Sequence, residues 1–153
     1  MVLKTPRFGQ IEYGESDVVK FEDGLIGFPQ YQNFLIVNHK EESVFRWLQS
    51  IEEPDLAMPI VSPTAFVTDY RPEVKLSQVK GLELSEDTPR IIYTTVTIPH
   101  GKPEEMTLNL AGPIIINAVT QQAKQVVLED ESYSIRHKIM IQKKGKKDSK
   151  TVA

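Results

Sequence analysis

The chain has 153 residues, 40% of them apolar and 25% charged, which fits one soluble domain with a self-sufficient core and excludes a disordered or fibrous class. With no cysteine, it has no disulfide framework, thiolate metal site or cysteine nucleophile. The net charge of −3 hides an asymmetry: Arg136 to Ala153 holds seven Lys/Arg against Asp148, net +6, while the rest of the chain holds 11 basic and 20 acidic residues, net −9.

At the N-terminus, Met1 to Gln10 lacks the apolar segment of a secretory signal. The longest apolar stretch, Ala111 to Val119, is far short of a membrane span and contains Pro113 and Asn117. There is no N-x-[ST] sequon, so the protein is expected to be cytoplasmic, with no membrane partner. Along the chain, short runs rich in Val, Ile, Thr, Phe and Tyr are punctuated by ten prolines and eight glycines, the pattern of an all-β protein.

The runs predict strands near Pro6–Glu12, Val18–Phe21, Phe34–Asn38, Phe45–Ile51, Leu56–Val61, Thr68–Val74, Ile91–Ile98, Met106–Leu110, Ile114–Val119, Ala123–Leu128 and Tyr133–Arg136. Asp23-Gly24, Gly27-Phe28-Pro29 and His100-Gly101-Lys102-Pro103 are turn signals. Thr120-Gln121-Gln122 reads as the bend of a hairpin. Ile92, Thr94, Val96 and Ile98 alternate with Ile91, Tyr93, Thr95 and Thr97. The unbroken Ile114-Ile115-Ile116 calls for a strand covered on both faces. One short helix is expected at Lys75–Leu82, ending near Gly81. Many short strands at close spacing suggest a barrel or a sandwich in a single domain over residues 1–139. From about Met140 the pattern stops, Gln142 to Lys150 holds no apolar residue, and a disordered, basic C-terminal tail is expected over residues 140–153.

The search for chemistry finds little. His39, His100 and His137 lie far apart and none has a second ligand type at metal spacing. No nucleophile elbow, zinc helix or glycine-rich phosphate loop is present. The doublets Glu41-Glu42, Glu52-Glu53 and Glu104-Glu105 could in principle supply the paired carboxylates of a hydrolase, but neighbours in a strand point to opposite faces and doublets in turns are normally solvated. The lysine-rich tail would suit a small β-barrel nucleic-acid-binding protein; against that, it has no aromatic residue to stack on bases and the body is acidic. Phe45, Trp47, Phe66, Tyr70 and Tyr93 read more readily as core than as a binding surface.

Four stretches carry a family resemblance. Phe45-Arg-Trp-Leu-Gln-Ser-Ile-Glu-Glu-Pro-Asp-Leu-Ala-Met58 resembles the WLQS-x-E-x-P-x-LAF stretch of the bacterial flagellar assembly factor FliW, with Met58 in place of the final aromatic. Phe21-Glu-Asp-Gly-Leu-Ile-Gly-Phe28, Met106-Thr-Leu-Asn-Leu-Ala-Gly-Pro-Ile-Ile-Ile-Asn117 and Tyr133-Ser-Ile-Arg-His137 are similar to three further motifs of that family, in its order and spacing. The match covers roughly residues 5–137 and leaves the tail outside.

The resemblance implies an antiparallel β-barrel-like fold with little helix and no catalysis; the chain is expected to be a monomer without metal or cofactor. Its implied partners are flagellin and CsrA, a small RNA-binding translational repressor; the factor makes no direct nucleic-acid contact of its own. Held by the factor, CsrA cannot repress flagellin mRNA, and free flagellin releases it. An acidic body suits a basic partner of this kind. Candidate partner-binding residues are Glu52, Glu53 and Asp55 in one loop, Glu104, Glu105 and Met106 in another, and the Arg136-His137 pair; plain solvated turns are the competing reading. Trp47, Asn109, Pro113 and Asn117 are assigned to the fold, with the Trp47 ring buried.

Overall fold

The computed structural model describes residues 1–139. Eleven strands form: β1 (Val2–Thr5), β2 (Gly9–Glu12), β3 (Val19–Phe21), β4 (Asn33–Val37), β5 (Phe45–Ser50), β6 (Ala57–Val61), β7 (Arg90–Thr97), β8 (Thr107–Leu108), β9 (Ile114–Asn117), β10 (Gln122–Gln125) and β11 (His137–Lys138). Seven of them close on themselves in the order β7-β6-β5-β4-β3-β10-β9, with β9 returning to pair with β7. The result is a barrel, antiparallel except where β10 runs parallel to β3. Closure leaves these strands no free edge to aggregate. β8 and β11 extend as a flap from the end of β7, and β1–β2 forms a separate hairpin.

Side-chain alternation sorts the apolar residues into two layers. Val19, Phe21, Phe34, Leu48, Ile60, Ile114, Ile116 and Ala123 fill the barrel, with Phe21 and Phe34 edge to face at 5.3 Å. Outside it, three smaller clusters lie under covering segments. The hairpin lays Leu3, Ile11 and Tyr13 on Leu35 and Val37. Phe66, Tyr70, Met106, Leu108 and Leu110 cover Val61 and Val96. Leu82, Val126 and Leu128 cover Ile115. The triple isoleucine is thus buried on both faces, as its unbroken run requires.

Four expected elements differ. Pro6–Glu12 is a hairpin turn followed by β2: the Thr5 hydroxyl accepts from Phe8 N and donates to Gly9 O, both at 2.9 Å, and Gly9 takes φ +69°, the left-handed residue that a three-residue hairpin loop requires. Thr68–Val74 makes no ladder, since Pro72 has no N–H and Tyr70 N is used in a turn to Val67 O at 3.1 Å. Tyr133–Arg136 is a turn, and pairing begins only at His137. Lys75–Leu82 forms a single 3₁₀ turn, Leu76–Val79; it is too short to sustain an α-helix, Leu76 is 85% exposed, and Gly81 ends it at φ +96°. The expected tail, residues 140–153, lies outside the described residues.

Candidate partner-binding surface

In an antiparallel run of neighbours, alternate connections emerge at the same end. The β3–β4, β5–β6 and β7–β8 connections therefore leave one end of the barrel together. They carry Glu22 and Asp23, then Glu52, Glu53 and Asp55, then Glu104 and Glu105. Opposing them are Lys124, 3.4 Å from Asp23, and Lys102, 3.9 Å from Glu105. Segments far apart in sequence are thus joined into one acidic end.

Within it the carboxylates differ in role. Glu52 Oε1 accepts from Gln32 N at 3.1 Å and Asn33 N at 2.9 Å, and its Oε2 accepts from Asn33 Nδ2 at 3.0 Å. This side chain ties the β5–β6 loop to the start of β4, so it serves the fold as well as the surface charge. Glu53 is held by its own turn: its N–H donates to Ser50 Oγ at 2.9 Å and its carboxylate accepts from Asp55 N at 3.3 Å. Asp55, Glu104 and Glu105 are exposed, the last two in the 3₁₀ turn Pro103–Glu105.

Met106 corrects an expectation. Rather than offering an exposed apolar anchor, it is 6% exposed and packs with Val96, Leu108 and Leu110. Its neighbours Glu104 and Glu105 reach solvent while Met106 begins the inward alternation of β8. His137 pairs with Leu108, and Ile139 N reaches Met106 O at 3.5 Å, so the C-terminal strand ends beside the acidic turn. Arg136 is exposed and donates its backbone N–H to Ser134 Oγ at 3.0 Å.

The residues assigned to the fold mostly serve it. Asn117 is 1% exposed; its Oδ1 accepts from Val119 N and Thr120 N at 2.9 and 3.2 Å, and its Nδ2 donates to Leu82 O at 2.7 Å. Asn109 Oδ1 likewise accepts from Ala111 N at 3.1 Å. Trp47 is different: it is half-buried on the outer wall, with the Arg7 guanidinium 4.4 Å from its ring centre. The sequence reading gives Arg7, Phe8, His39 and Lys40 no place beside Trp47, because nothing local links a hairpin tip to a strand forty residues on.

Among the described residues, two ionisable groups are shifted, Tyr70 and Asp130. Burial, with Tyr133 adding to it, pushes the Tyr70 phenol well above its ordinary value; its OH donates to Leu110 O at 2.6 Å. Ser132 hydrogen bonds, the backbone one first, hold the exposed Asp130 below the usual carboxylate range. Among the described residues, no three His, Cys, Asp or Glu gather where they could hold a metal ion, and no helix is long and apolar enough to cross a membrane.

Fold and surface together define a small closed β-barrel whose distinctive feature is the charge of the loops at one end. A family model described as FliW protein matches residues 2–139. The flagellar assembly factor FliW of Leptospira interrogans (strain 56601) is 38% identical over 138 residues, covering 90% of this chain and 92% of its own. That of Caldanaerobacter subterraneus is 42% identical over 141 residues, covering 92% and 93%. A crystal structure of the flagellar assembly factor FliW superposes with a TM-score of 0.83 at 27% identity, covering 90% of this chain and 96% of the other. The chain belongs to the FliW family, and its role is in flagellar assembly.

Proposed function

We propose that the protein works in the cytoplasm by binding two other proteins, flagellin and the translational repressor CsrA, and that it catalyses no reaction. Bound to the factor, CsrA is kept from flagellin mRNA; accumulating flagellin takes the factor, frees CsrA and slows its own synthesis. The observation that carries this reading is the acidic end, where Glu22, Asp23, Glu52, Glu53, Asp55, Glu104 and Glu105 meet on three loops. A concentrated negative field draws in a basic RNA-binding protein and repels the RNA itself, raising the association rate most at low salt. The motif resemblance suggests which two partners to test, and the closed barrel supports the reading as a rigid platform for loops that bind.

The test is calorimetric. CsrA from the same organism, titrated into this protein, should bind tightly, and prior saturation with flagellin should remove the heat. No heat with either partner would overturn the reading. A second arm reverses Asp55, Glu104 and Glu105 to lysine, sparing Glu52 and Glu53 because their carboxylates hold a loop and its turn. Stopped-flow association with CsrA should slow at least tenfold while the melting curve stays close to wild type, since exposed charges add little stability. An unchanged rate would remove the acidic end from the mechanism.

A further inference from the structure

The outer wall of the barrel is covered on two sides and open between them. The β1–β2 hairpin closes over Leu35 and Val37, and the segment around Phe66 and Tyr70 closes over Val61 and Val96. Between these covers a cleft of about 240 Å³ is lined by His39, Lys40, Phe45, Trp47, Pro59 and Ile98 along with Ser43. Trp47 and Pro59 are cross-strand partners on β5 and β6 and form its floor. At its rim Phe8 meets Trp47 edge-on at 5.8 Å and His39 at 5.3 Å. Ile98 and nearby Val44 remain 42% and 52% exposed.

The charge around this cleft is opposite to that of the body. Arg7 and Lys40 make no ion pair among the described residues, whose ion pairs involve only Lys75, Lys102 and Lys124. Arg7 instead lies over the Trp47 ring, which leaves much of its guanidinium edge free to bind an anion. Glu41 and Glu42, in the same loop as Lys40, do not line the cleft. Unpaired cations beside bare aromatic and aliphatic surface, on a body of net −9, match a ligand that is both apolar and anionic. A volume of about 240 Å³ is below the roughly 300–1,000 Å³ of small-molecule pockets, and suits one or two side chains of a peptide. Buried aromatic floors with arginine rims are also where interface energy concentrates.

We propose that this cleft docks an acidic segment of a protein partner, one apolar side chain entering between Trp47, Pro59 and Ile98 while an adjacent carboxylate meets Arg7 or Lys40. The protein then has two binding surfaces of opposite charge, an acidic end and a cationic aromatic cleft on the wall. The proposal goes beyond the function above because it stands on the cleft's own chemistry, whichever protein supplies the segment.

The chain's single tryptophan makes the test direct, because Trp47 emission reports on this cleft alone. The full chain is titrated into the millimolar range with two tryptophan-free peptides, Asp-Leu-Phe-Leu-Asp and Lys-Leu-Phe-Leu-Lys, end-blocked and alike except for charge. The acidic peptide should shift the emission saturably, and the basic one should bind at least tenfold more weakly. Lys40→Glu, which leaves the Arg7–Trp47 contact intact, should weaken the acidic peptide about tenfold, and Ile98→Glu should abolish binding; melting curves of both variants check folding. No shift with either peptide, equal binding of both, or unchanged affinity in Lys40→Glu would overturn the proposal. A Trp47 shift that follows protein concentration without peptide would also overturn it, by making a second copy the occupant.

Discussion

Gly24 sits where two separate costs of adding a methyl group can be worked out. Its N–H closes a turn onto Phe21 O at 2.9 Å, and its φ of +69° lies in the left-handed region. A Cβ there would stand 2.5 Å from Pro29 O and 2.6 Å from Pro29 Cα, distances that no side-chain rotation relieves because both atoms are backbone. Gly24→Ala therefore adds a conformational cost of about 1 kcal/mol to an overpacking cost of about 1–3 kcal/mol. The loop cannot yield freely: Leu25, next in the chain, is 2% exposed and packs into the barrel core. Gly27 is the internal control. Its φ is +92°, yet a Cβ there would meet nothing within 4 Å, so Gly27→Ala incurs only the conformational cost. In a domain of this size each kcal/mol moves the midpoint by roughly 2–4 °C, so Gly24→Ala should melt roughly 5–15 °C below wild type and Gly27→Ala roughly 2–4 °C below. Thermal and urea unfolding followed by far-UV circular dichroism measure both. Equal losses in the two variants would refute the clash with Pro29.

Three further outcomes follow from named hydrogen bonds. Asn117→Ala leaves Val119 N, Thr120 N and Leu82 O without their side-chain partner and should destabilise by about 2–4 kcal/mol in urea titration, whereas Asn109→Ala, which loses one bond to Ala111 N, should cost about 1 kcal/mol. Glu52→Gln weakens the charge-assisted clamp on Gln32 and Asn33 and should lower stability by about 1 kcal/mol, while Glu104→Gln, which accepts no hydrogen bond among the described residues, should leave the melting point unchanged. Tyr70 gives a pH dependence: its phenol is raised in the folded state, so its contribution is fully present below the ordinary tyrosine pKa of about 10 and is lost as pH climbs above it, because the unfolded chain then releases a proton that the folded one keeps. Urea midpoints taken from pH 9 upward should fall, and Tyr70→Phe should flatten that fall while costing about 1–2 kcal/mol at neutral pH for the Leu110 carbonyl left unpaired.

Much of the barrel was readable because its signals are local. Ile114-Ile115-Ile116 could be buried on both faces only if something covered the outside of the sheet, and Leu82, Val126 and Leu128 do so. Asn117 at a strand end announced a cap, and the cap is there. The misreadings have equally definite causes. The stretch from Pro6 to Glu12 looks uniformly extended until Thr5 and Gly9 are seen to make a turn through one hydroxyl. Lys75–Leu82 has helical spacing, but Leu76 has nothing to pack against. Met106 was within reach: alternation through Met106, Leu108 and Leu110 puts all three on one face, and they are 6%, 0% and 1% exposed. Reading it by its acidic neighbours instead of by its strand made it an anchor.

The surfaces were legible only in part, and the reason is topological. Glu52 and Glu104 are half a domain apart in sequence, and no spacing rule joins them; the parity of antiparallel hairpins does. Once the neighbour order β8-β7-β6-β5 is known, the two acidic connections have to emerge at the same end, and charge that reads as scattered along the chain becomes concentrated. The same order lays Trp47 beside Pro59 on the outer wall, and the separate β1–β2 hairpin brings Arg7 and Phe8 over it. A barrel that stays rigid while its loops and its uncovered wall carry opposite charges can hold a basic and an acidic segment at different places. Competition between two partners would then have to arise from their bulk, or from one partner reaching both surfaces, and not from a shared charge preference. Reversing the acidic-end charges should therefore slow the basic partner and leave the acidic peptide's affinity for the cleft almost unchanged, since the two surfaces are read by ligands of opposite sign.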